Sequence, residues 1–194
     1  MNRRTILALC GARLLAGYAA ISCLAIPEVR AETFSSPGFY LVTVDGWTRT
    51  VTQDGFIYRC ISCVDQVEIE ILREPLRSPL SRRAAWRTTD EFIAAVDTPE
   101  KQRAFAEEWL KPPRPNAPYR FELHHVELTE IGGLKMLVIA SKFVQGHTVM
   151  PDISMISVHT GRLMRLRLHT LTGALTAEGN EIVDAFLGAL VFEK

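Results

Sequence analysis

Cys60 and Cys63, spaced as Cys-Ile-Ser-Cys, are the residues of this chain whose type and spacing most directly suggest chemistry. Three uses fit that spacing. A short disulfide would tie the loop that precedes a strand predicted over Val67–Leu72. A redox pair would cycle between dithiol and disulfide. Such pairs sit at a helix N-terminus, which lowers the thiol pKa, whereas Val64-Asp65-Gln66-Val67-Glu68-Ile69 reads as strand. A metal site would need a second Cys or His pair at a matching spacing, and none stands there. Covalent haem requires His directly after the second Cys, where this chain has Val64. A structural disulfide is the first expectation and a redox pair the alternative. So short a loop adds little stability, toward or below the low end of about 2–4 kcal/mol.

Other reactive side chains form no recognised constellation. His124 and His125 are neighbours on a predicted strand, so they should face opposite sides and not share a metal. His147, His159 and His169 are scattered over loop and strand. No serine has a Gly-x-Ser-x-Gly context, and no phosphate-cradling Gly-rich loop occurs. Glu68, Glu70, Glu122 and Asp152 alternate with apolar residues, as on solvated strand faces. No catalytic residue, metal or cofactor is expected. The arginines suggest binding instead. Arg165, Arg167 and His169 alternate along one strand and should share one exposed face. Arg77, Arg82, Arg83 and Arg87 lie on a loop able to fold nearby. Together they could hold an acidic partner or an anionic ligand; a solvated strand face is the plainer alternative.

The elements that position these residues are clearest over residues 132–194. Leu134–Phe143 and Thr148–Val158 are apolar on both faces, as in a strand covered on both sides. Leu163–Thr170 alternates, with Met164, Leu166 and Leu168 on one side. Thr160-Gly161 offers a tight hairpin turn. Ala177–Leu190 repeats apolar residues at Ile182, Val183, Phe186, Leu187 and Leu190, an amphipathic helix with Thr176 as N-cap. Upstream, Phe39–Val44 and Phe121–Leu128 read as strands. Arg49–Gln53 and Phe56–Arg59 suggest a hairpin through Asp54-Gly55. Two short helices are predicted, one near Thr89–Val96 and one starting at Thr98 with Pro99 at its first position. The prolines of Lys111–Pro118 end the second.

The first 31 residues read as an export signal. Arg3 and Arg4 make a basic start, Leu14–Ile26 is a 13-residue run of apolar and small residues, and Val29-Arg30-Ala31 fits cleavage after Ala31. That run is short of the roughly 20 residues a spanning helix needs. Arg3-Arg4-Thr5-Ile6-Leu7 is similar to a twin-arginine signal, and Ala20-Ile21-Ser22-Cys23 to a lipoprotein box that lacks the usual Leu. Residues 32–194 are then expected to form one α+β domain. The full chain has 22 basic and 22 acidic residues; residues 1–31 hold four of the basic and one of the acidic, so the remainder carries a net charge of −3. That gives no electrostatic case for nucleic acid.

The element order resembles the PsbP/Mog1-like fold. The resemblance rests on Phe39 with Gly46-Trp47, on Val67-Glu68-Ile69-Glu70-Ile71, on Glu130-Ile131-Gly132-Gly133-Leu134, on Thr160-Gly161-Arg162 and on Phe186–Phe192. It covers residues from about Phe34 to Phe192; Cys60–Cys63 and the proline-rich stretch depart from it. It implies an antiparallel sheet packed between helices (an α/β/α sandwich) and a binding or assembly role, with no catalytic motif to carry over. The expected protein is therefore exported to the periplasm, non-enzymatic, and a binder of another envelope protein or a small anionic ligand. The alternatives are an enzyme or redox protein using Cys60 and Cys63, and an immunity or inhibitor protein that binds a toxin or enzyme in the envelope.

Overall fold

The computed structural model describes residues 33–36, 39–42, 46–60, 62–75, 86–112, 114, 116–170, 173 and 175–193. The expected leader, Cys23 and the loop arginines Arg77, Arg82 and Arg83 lie outside them. Seven antiparallel strands make the main sheet. They are β3 (Trp47–Val51), β4 (Gly55–Cys60), β5 (Val67–Pro75), β6 (Arg120–Ile131), β7 (Leu134–Gln145), β8 (Thr148–His159) and β9 (Arg162–Thr170), in the spatial order β3-β4-β5-β9-β8-β7-β6. Helices α1 (Thr89–Ala95) and α2 (Pro99–Trp109) cover one face, and α3 (Ala177–Ala189) the other. The expected α+β sandwich is the observed architecture. No helix among the described residues is long and apolar enough to cross a membrane.

Two-sided strands produce two cores. On the α3 face, Ile69, Ile71, Met136, Met164 and Leu166 pack under Val183 and Phe186. Phe186 meets Trp47 and Tyr58 with ring centroids 4.6 and 5.1 Å apart. On the other face, Leu137, Ile139, Ile156 and Val158 pack against Phe92, Val96 and Ala106 of the helix pair. Thr88 caps α1 in a capping box with Glu91, and Thr98 caps α2 ahead of Pro99; both devices supply acceptors for otherwise unpaired N–H groups. Thr160 and Gly161 take the positive φ values of +47° and +68° that a two-residue hairpin requires.

Three features differ from the sequence expectations. Strands β1 (Thr33–Ser36), β2 (Phe39–Val42) and β10 (Leu190–Phe192) form a second, three-stranded sheet, so the apolar tail after α3 is a paired strand. Gly55 is not a turn residue: Val51 pairs with Phe56, and Gly55 already lies in β4 opposite Leu72. A Cβ there would collide with the Ile71 carbonyl oxygen, so close backbone approach, not turn geometry, requires glycine. Finally, His124 is the extra residue of a β-bulge between Leu123 and His125. Regular alternation there was the premise for placing the two histidines on opposite faces; the bulge breaks it, and both are exposed. It also keeps Phe121, Leu123, Val126 and Leu128 on the α1–α2 face despite the odd spacing between Leu123 and Val126.

Candidate functional site

The strand register assembles a charged strip on the α1–α2 face of the sheet. Thr48, Arg59, Glu68, His169, Asp152 and Ser141 line up in one row across six strands. Two residues further along β9, about 7 Å away, Glu70, Arg167 and Ser154 form the next row. One row further, Leu72, Arg165, Ile156 and Leu137 begin the apolar ground under the helices. Arg165 marks this boundary, its guanidinium 5.9 Å from the Trp109 ring centroid. Arg165, Arg167 and His169 thus share one face, as their alternation predicts.

That face is not simply wet. Glu68 and Asp152 are only 6% and 4% exposed. Arg59 donates through Nε to Glu68 Oε2. His169 Nε2 lies 3.0 Å from Glu68 Oε1. Arg167 Nε donates to Asp152 Oδ1 at 2.6 Å. Buried carboxylates persist when they are paired and hydrogen-bonded, which corrects the reading of Glu68 and Asp152 as solvated. The cations reach outward: the Arg59 and Arg167 side chains are 47% and 34% exposed. Each guanidinium uses Nε for its buried partner, and its terminal nitrogens have no other partner among the described residues. Of the expected loop arginines Arg77, Arg82, Arg83 and Arg87, Arg87 is the one among the described residues, and it is exposed just ahead of α1.

Cys60 and Cys63 form a disulfide with Cα atoms 5.4 Å apart. Cys60 ends strand β4 and is almost fully buried, and Cys63 is buried. Neither sits at a helix N-terminus, the setting that activates thiols. Glu178 and Glu181 of α3 line the small hollow beside the bond. Two residues past Cys63, in the turn that leads into β5, stands Asp65, which sequence reasoning missed. Asp65 Oδ2 accepts hydrogen bonds from Thr176 N (2.7 Å) and Thr176 Oγ1 (2.8 Å). Thr176 Oγ1 in turn accepts from Gly179 N at 3.1 Å, capping α3. A Cβ at position 179 would land on Asp65 Oδ2. Asp65, in the segment between Cys63 and β5, therefore anchors the start of α3. No group of three or more His, Cys, Asp or Glu able to hold a metal ion occurs among the described residues.

No family model matches the chain, and no curated protein matches it. Among solved structures it is similar to the cyanobacterial PsbP (CyanoP) of Synechocystis, at 13% identity and a TM-score of 0.49, over 92% of this chain and 99% of that one. It is also similar to a protein of Bacteroides thetaiotaomicron, at 14% identity and a TM-score of 0.44, over 84% of this chain and 49% of that one. A third is LpqN of Mycobacterium tuberculosis, described as involved in cell envelope biogenesis, at 14% identity and a TM-score of 0.42, over 84% and 90% of the two chains.

Proposed function

We propose that this is an exported, non-enzymatic binding protein of the cell envelope that holds an anionic group of its partner on the charged strip around Arg59, Arg165, Arg167 and His169. One observation carries the reading. Two nearly buried carboxylates, Glu68 and Asp152, hold Arg59 and Arg167 by Nε, so each guanidinium is fixed before a ligand arrives. Fixing a long side chain in advance removes part of the entropy cost of binding. A guanidinium edge held this way matches a carboxylate or phosphate oxygen pair. The basic start and apolar run before Ala31 support export, and the Cys60–Cys63 disulfide fits an oxidising compartment.

The test is a nuclear magnetic resonance titration of the full mature chain with a short poly-aspartate peptide. The Arg59 and Arg167 Nε–H resonances should shift saturably, together with amides of β9. Shifts that never saturate, or that map elsewhere, would remove this site from the account.

A further inference from the structure

We propose a second binding site, independent of the charged strip and on the opposite face of the sheet, for a small organic cation with an apolar body. Helix α3 crosses that face but does not cover all of it. Met136 and Met164, beneath the helix, are fully buried. Val138 of β7 and Ile153 of β8, further along, are only half-buried. They floor a groove of about 440 Å³ whose far wall is Leu187 of α3. That volume lies within the roughly 300–1,000 Å³ typical of small-ligand sites.

The charge at the rim selects the occupant. Glu127 stands on the β6 bank and Asp184 on the α3 bank, and among the described residues no Lys or Arg lines the groove; Glu130 also borders it, but alternation along β6 turns its side chain to the α1–α2 face, opposite Lys135. Glu127 is shared with His125, 3.3 Å away. Asp184 has no side-chain partner among the described residues. An ammonium placed between the two banks meets carboxylates from both sides while its apolar portion covers Val138 and Ile153. An anion of the same shape meets like charge from both banks. The floor rewards burial of apolar surface at roughly 25 cal/mol per Å², and the banks set the sign of the charge.

Gly188 lines the same groove, and a Cβ there would meet nothing within 4 Å. A larger residue at 188 therefore fills the site without disturbing the core, and glycine is itself a poor helix residue. The probe is phenethylamine, with 3-phenylpropionate as its oppositely charged counterpart, titrated into the full mature chain and followed by amide resonances. Phenethylamine should shift Val138, Ile153, Asp184 and Leu187 saturably, and 3-phenylpropionate should bind at least about tenfold more weakly. Gly188→Leu, and separately Glu127→Gln with Asp184→Asn, should each weaken phenethylamine about tenfold while the remaining spectrum stays unchanged. Absence of saturable binding, equal affinity for the carboxylate, or undiminished binding to Gly188→Leu would overturn the proposal.

Discussion

Arg167 and Asp152 form an ion pair whose arginine also belongs to the proposed binding strip. Asp152 is buried, and Arg167 is its charged partner. Removing Arg167 as Arg167→Ala leaves that carboxylate uncompensated, which costs about 3 kcal/mol or more. Arg167→Lys keeps a cation within reach and should cost less than about 1 kcal/mol. Urea unfolding of the two variants checks the order; equal losses would mean that Asp152 does not depend on this charge. Tyr58 gives a pH test. Burial pushes its phenol above the ordinary 10.0, with the nearby Arg49 opposing in part. A pKa raised on folding leaves stability intact below the unfolded value and erodes it as pH rises through the folded one. Tyr58→Phe should therefore lose less stability than the parent chain between about pH 9 and about pH 11, measured by unfolding across that range. An identical slope would mean that Tyr58 titrates normally.

At the scale of elements, the bulge at His124 and the Asp65 anchor make separate predictions. Deleting His124 leaves Phe121, Leu123, Val126 and Leu128 on one face, so the shortened chain should fold with little loss. Deleting Glu127 breaks the phase between Val126 and Leu128 and turns one group outward; it should cost about 2 kcal/mol or more. Equal tolerance of both deletions would contradict the observed register. Asp65→Ala should cost about 1–3 kcal/mol by leaving Thr176 N–H and its hydroxyl without their acceptor. Amide exchange should then quicken first in the opening turn of α3. Uniform quickening would place the role of Asp65 elsewhere.

The strands β7, β8 and β9 and the helix α3 were legible because their apolar periods are long and unbroken. The odd step from Leu123 to Val126 was in plain view, but a bulge and a change of face produce the same step. The pairing of β10 with β2 left no local mark, since three residues carry no period. Arg165, Arg167 and His169 could be placed on one face by alternation alone. Their partners could not. Glu68 reaches His169 only because β5 pairs with β9 across a separation of about a hundred residues, and alternation looks the same whether a carboxylate is solvated or paired.

For the whole molecule, the sheet separates two surfaces of opposite character. One face carries guanidinium groups braced by buried carboxylates beside the α1–α2 pair. The other carries α3, tied down through Asp65 to the turn that follows the disulfide, and a groove with acidic banks. The chain without its expected leader carries a net charge of −3, so attraction of an anion to the proposed strip would depend on the local arrangement of Arg59 and Arg167, not on overall charge. The most direct measurement is the affinity of a short poly-aspartate peptide for the chain without its expected leader against the Arg59→Lys/Arg167→Lys double variant, with unfolding midpoints recorded alongside. Both proteins carry the same charge, and only one keeps the planar forks. The account predicts an affinity at least about tenfold lower in the lysine variant with a nearly unchanged midpoint; equal affinities in two equally stable proteins would contradict it.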